Sequence, residues 1–180
     1  MIAPPERDEA AEYYFRFIDL VPAGNICEAL RTQGAEVLEV LQGISEEDSA
    51  HRYAPDKWTI GEVVNHLIDC ERLFVFRAFW FARGFDSPLP SFDQNRAMEA
   101  ADAARRPWAS LVVEFSALRG STLAFFRTLP EEAWARRGIA SSNPFSVRAL
   151  AWLTAGHVTH HLGILRERYL AELARSAAGS

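Results

Sequence analysis

The sequence is short of several things, and each shortage removes a class of protein. It has two cysteines, Cys27 and Cys70, each in a segment of helical periodicity with no other cysteine nearby. That reads as two reduced, buried thiols in a cytoplasmic protein, not as a disulfide framework. No apolar run approaches the ~20 residues that span a bilayer, so no membrane association is expected. The first nine residues hold Pro4, Pro5 and several acids, without the basic-then-apolar order of a secretory signal. Basic residues are nearly all arginine and form no run, and the net charge of −5 with a pI near 5.6 lacks the basic field of a nucleic-acid binder. Repeats, low-complexity blocks, domain linkers and strand-like alternation are missing too.

What is there is 49% hydrophobic, enough for one folded domain across all 180 residues. About eight N-terminal and six C-terminal residues are expected to be flexible. Glu9 to Leu20 reads as a short amphipathic helix, with Tyr13, Tyr14, Phe17 and Ile18 packing and Pro22-Ala-Gly breaking it. Four longer helices follow, from about Asn25 to Leu41, Ile60 to Arg83, Pro107 to Leu129 and Ser146 to Ala174. Thr59 and Glu62 form a capping box at the head of the second. The Gly84 to Arg106 link, with a short helix around Arg96 to Ala104, is long enough to cross a bundle; Gly138 to Pro144 reads as a loop. The expected fold is all-α, a four-helix up-down-down-up bundle with extra short helices.

Three of the five histidines crowd into Gly156-His157-Val158-Thr159-His160-His161. With Leu150 at zero, His157 falls at about −20°, His161 at about +20° and His160 at about −80° on a helical wheel. His157 and His161 therefore face inward one turn apart, and His160 sits at the rim. His66 lies mid-stripe on the second long helix, among Val63, Leu67, Cys70, Leu73, Phe74, Arg77 and Phe81. A single inward histidine is usually a satisfied core residue. Three of them need partners that these apolar faces do not offer. A metal held by His66, His157 and His161, with one open position, solves that problem. Nitrogen donors suit zinc, nickel, cobalt or iron. Two alternatives stay open: Cys70, four residues after His66, as a ligand, and a metal-free core of histidines. The peptidase pattern His-Glu-x-x-His is excluded, because Val158 stands where its general base belongs.

Other polar residues have a local competitor for any role at the site. Asp69 and Glu62 flank His66 and could accept from a ligand imidazole, or simply face solvent. Tyr53 and Trp58 could wall a pocket over the metal or merely pack. Asp93 could approach the site or cap a turn. Arg77 and Arg168, on inward stripes, could pair with the acids Glu71 and Glu167, meet a partner chain or bind an anionic substrate.

Several motifs together resemble the DinB-like (damage-inducible, YfiT-related) superfamily. They are Tyr13-Tyr14, Arg52-Tyr53-Ala-Pro with Lys57-Trp58, His66-Leu67-Ile68-Asp69, Phe79 through Gly84, Pro88-Leu89-Pro90, Gly156-His157 and His160-His161-Leu162. The resemblance implies the same bundle, a homodimer, and a divalent transition metal, nickel or zinc, on His66, His157 and His161. Val158 departs from the acidic residue expected after Gly-His. The resemblance also implies a metal-dependent hydrolase, or an S-transferase that joins a low-molecular-weight thiol to a small-molecule electrophile. The competing expectation is a non-enzymatic, dimeric metal-binding stress protein.

Overall fold

A computed structural model describes residues 2–178 of the chain. Arg7–Glu9 forms a 3-10 turn and Glu12–Ile18 the short helix α1. Helix α2, Ile26–Gln42, starts where the Asn25 side chain accepts from the backbone N–H groups of Cys27 and Glu28. It buries Ile26, Leu30, Gly34, Val37 and Leu41, one face of a 3.6-residue period. A single turn, α3 (Glu46–Ser49), precedes α4, Ile60–Ala82. The Thr59–Glu62 capping box heads α4 as expected. The crossover carries α5, Gln94–Ala101, and leads into α6, Trp108–Arg127. Helix α7, Val147–Ile164, widens into a π segment at Leu165–Leu170 and continues as α8, Ala171–Ala178. The final helical stretch thus passes the expected end at Ala174. The flexibility expected of the extreme ends falls partly on Met1, Gly179 and Ser180, outside the described residues.

Contacts between helices fix the topology. Glu28 meets Arg127 and the Leu41 carbonyl accepts from the Trp108 indole, so α2 and α6 are antiparallel. Asn65 meets Arg106 and Phe79 meets Phe125, so α4 and α6 run the same way. Trp58 meets Tyr169 while Arg77 meets Ser141, so α4 and α7 are antiparallel. The order is up-down-down-up, and the crossover lets two consecutive long helices lie parallel. Two apolar clusters fill the bundle. One, around Phe81, Phe145 and Trp152, sits toward the end where α4 finishes. The other, around Leu41, Ile60, Leu67 and Phe115, sits toward the end where α4 begins.

Three expectations are corrected. Residues 138–144 are not a loop: Arg137–Ala140 (β1) and Asn143–Ser146 (β2) pair antiparallel, with Arg137 opposite Ser146. Ser141 and Ser142 make the turn at φ 52° and 61°, the geometry of a type I′ hairpin. Serines are poor signals for that turn, and four-residue strands are too short for alternation to register. Helix α6, contrary to the reading of apolar runs, is long and apolar enough by length and composition to cross a membrane. In the bundle it packs on α2 and α4 and holds the buried cation Arg119. Finally, Cys27 is only half-buried, whereas Cys70 is buried.

Candidate metal centre

Helix α7 delivers its histidines to one point because the backbone of α1 can lie against it. A Cβ on Gly156 would stand 2.1 Å from the Phe17 carbonyl oxygen. Only glycine permits that approach, and it brings the Phe17 ring edge-on to His157 at 5.6 Å between centroids. From the opposite helix, α4 presents His66. The ring centroids of His66 lie 5.0 Å from those of both His157 and His161, and the latter two are 4.6 Å apart. One nitrogen from each of the three rings lies within 4.8 Å of the others.

The closest pair is His66 Nε2 and His157 Nε2, 3.2 Å apart. Two neutral imidazoles can meet at this distance through one hydrogen bond. It is also close to the ~3.3 Å edge of a tetrahedron with metal–nitrogen bonds of ~2.0–2.1 Å. The donor set, its convergence and its charge state all fit a divalent metal. Burial drives the His66 pKa down to about 4. Burial, with His66 and His160 nearby, drives His161 down to about 3. Burial, with His161, His66 and His160 nearby, holds His157 well below its ordinary value. Neutral imidazoles are the form that ligates. His160 is half-buried, edge-on to Phe17 at 5.2 Å and to His161 at 5.1 Å, which is the rim position expected for it.

Cys70 places its Sγ 3.6 Å from His66 Nδ1. Burial, with Asp69 beside it, pushes its thiol pKa up to about 12, and the donor atoms that converge are those of the three histidines, without its sulfur. Trp58 packs beside His66, with ring centroids 5.0 Å apart, and does not line the cavity beside His157. Tyr53 is one layer further out, edge-on to Tyr169 at 4.8 Å. Tyr169 in turn donates to the Trp58 carbonyl at 2.8 Å and so holds Trp58 in place. Sequence periodicity did not single out that role, because the π segment rotates Tyr169 away from its α-helical direction.

The flanking carboxylates do not reach the imidazoles. Glu62 is spent on the capping box, accepting from the Thr59 N–H at 2.7 Å. Asp69 accepts from Asn65 at 2.9 Å and faces Arg72. Asp93 caps α5, accepting from the Asn95 and Arg96 N–H groups. The inward arginines also depart from expectation. Glu71 pairs with Arg119 of α6, through Nε at 3.0 Å and Nη2 at 2.8 Å, not with Arg77. Residues 71 and 77 are six apart, about 240° around a helix, so they leave α4 on different sides. Arg168, expected to face inward, is exposed and lies over the Tyr53 ring at 5.6 Å.

A cavity of about 230 Å³ opens beside the histidines, with His157 and Cys70 in its wall. Fold and site together define a helical bundle with three converging histidines, one of which, His157, lines a small cavity. A family profile for the DinB superfamily matches residues 29–165, and the chain belongs to that superfamily. A Geobacillus kaustophilus (strain HTA426) protein, named as a candidate metal-dependent hydrolase, is 25% identical over 146 residues, covering 77% of this chain and 81% of that one. YfiT from Bacillus subtilis, described as a probable metal-dependent hydrolase with an unusual four-helix bundle topology, superposes with a TM-score of 0.71 at 18% identity over 97% of this chain and 93% of its own. The mycothiol-dependent maleylpyruvate isomerase superposes with a TM-score of 0.65 at 14% identity over 76% of this chain, which spans only 57% of that enzyme.

Proposed function

We propose that this chain is a metal-dependent enzyme, with a divalent metal, nickel or zinc, on His66, His157 and His161. The observation that carries the reading is the convergence of three neutral imidazoles beside a cavity that His157 helps to line. A divalent metal held there would act as a Lewis acid and lower the pKa of a water or thiol in its open position. Burial keeps the rings uncharged and Trp58 covers one side of His66. Gly156 and Phe17 hold the angle at which His157 enters.

Between hydrolysis and thiol transfer, the cavity favours the thiol. Among the described residues no carboxylate lines it, and Glu62 and Asp69 are engaged elsewhere. Without a side-chain base, activation rests on the metal alone. An ordinary thiol, with a pKa of about 8.5, needs far less assistance than water. The proposed reaction is therefore transfer of a low-molecular-weight thiol to a small electrophile.

Metal analysis of purified protein is expected to find about one ion per chain, as a single three-histidine site demands. His157→Ala should remove it and His160→Ala should not. Metal-loaded protein should turn over monochlorobimane with one member of a thiol panel, and chelator-stripped protein should not. Loss of stoichiometric metal from neither variant would remove the site. Metal binding without turnover of any thiol, ester or amide would leave a binding protein instead of an enzyme.

A further inference from the structure

The cavity beside the histidines has a second polar feature, at the far end from His66. Arg77 is 3% exposed, and its Nη2 donates to the Pro90 carbonyl at 3.0 Å and to the Ser141 hydroxyl at 2.8 Å. Its Nε is buried without a partner. Among the described residues no carboxylate pairs with it, and the charged and titratable groups it senses are Tyr14 and Cys70. A guanidinium stays protonated in a protein, so this is a positive charge buried without its counter-ion. Such a charge is strongly unfavourable unless something neutralises it.

The same bundle shows how a purely structural buried arginine is handled. Arg119, equally buried, has a bidentate carboxylate, a backbone carbonyl and a glutamine oxygen around it. Arg77 has two neutral acceptors, no carboxylate, and a place in the cavity wall. The cavity it lines also presents Gln94 and Ser141, with Phe17, Phe74 and Leu153 as apolar wall. It contains one formal charge, positive, and is smaller than the ~300–1,000 Å³ usual for drug-sized ligands. Residues 66 and 77 are separated by about 16 Å along α4, with Cys70 and Phe74 between them.

We propose that Arg77 is the anion-recognition group of this cavity, binding the carboxylate of a small organic acid whose other end reaches the three-histidine centre. The proposal rests on that centre being the reaction site. Pairing with a carboxylate would give this buried guanidinium the counter-ion that the chain does not supply. Gln94 offers an amide to the second oxygen, and the aromatic wall suits an apolar body between the two ends.

Calorimetric titration of benzoate and its neutral isostere benzamide into metal-stripped protein separates this role from ligation by a metal. Wild type should bind benzoate about ten-fold or more tightly than benzamide, the scale of one charged hydrogen-bonding contact. Arg77→Gln should abolish the difference, and Arg77→Lys should keep part of it. Equal affinity for the two ligands in wild type overturns the proposal, as does absence of benzoate binding at millimolar concentration or unchanged discrimination in Arg77→Gln. Should the glutamine variant fail to fold, the wild-type comparison and the lysine variant decide. Metal titration of the same samples tests the histidine centre separately: loss of metal binding with benzoate discrimination intact would sink the centre and leave the anion site standing.

Discussion

The two buried arginines of the bundle occupy matching environments and are treated in opposite ways. Arg119, from α6, crosses to α2 and α4 and is fully paired with Glu71, the Leu30 carbonyl and Gln33. Its path exists because residue 34 is glycine: a Cβ there would stand 2.9 Å from Arg119 Cγ. Arg77, about two turns along α4 from Glu71, has no acid partner among the described residues, an unpaired buried Nε, and a place in a cavity wall. A charge that only supports the fold is paired within the chain, because an unpaired one would cost too much. A charge left unpaired beside a cavity and a cluster of imidazoles is positioned for something from outside. The helix-interior glycine, a weak point by propensity, is what lets the first solution exist.

The comparison breaks first at Arg119. Arg119→Met leaves Glu71 buried and unpaired, and should lower unfolding free energy by about 3–5 kcal/mol in denaturant titration. Adding Glu71→Leu should recover most of that loss, since a packed apolar pair replaces a buried ion pair at little cost. A larger loss in the double variant would mean that the pair contributes more than mutual compensation. Next comes Gly156→Ala, which drives a methyl group into the Phe17 carbonyl. It should cost about 1–3 kcal/mol and loosen metal binding as well, because α1 must move off His157. Unchanged metal affinity in that variant would show that α1 does not hold the ligand angle.

Arg77→Gln should cost less, about 1–2 kcal/mol for two hydrogen bonds to neutral groups, against several for Arg119→Met. If the two variants proved equally destabilising, Arg77 would be structural like Arg119. The smallest effect concerns Glu9, another buried charge and a well-partnered one. Burial pushes its carboxyl pKa up, but hydrogen bonds from Arg148 and Ser146 outweigh burial and hold it below the usual 4.5. Because its folded pKa is the lower one, its contribution is present above the unfolded value and is lost as pH falls through the folded value. Between about pH 5 and pH 3, wild-type Tm should fall more steeply than that of Glu9→Gln. Parallel Tm curves would mean that Glu9 is not held by these partners.

Sequence periodicity alone placed four long helices, the Thr59–Glu62 start of α4, and the inward faces of His66, His157 and His161. These are local properties: a capping box and a 3.6-residue repeat are written in neighbouring residues. It put His160 at the rim and kept Val158 off the histidine axis, where it packs in the apolar cluster instead. Local pattern was silent wherever the deciding partner is distant in the chain. It could not know that Glu71 meets Arg119, 48 residues away, or that Glu62, Asp69 and Asp93 are already occupied by backbone and amide groups. Nor could it foresee the Ser141–Ser142 hairpin or the π segment that turns Tyr169 onto Trp58. Which residues face inward follows from the sequence. Which of them find partners was decided by tertiary packing, because an inward charge or imidazole acquires its meaning from the atoms that a distant segment brings to it, or fails to bring.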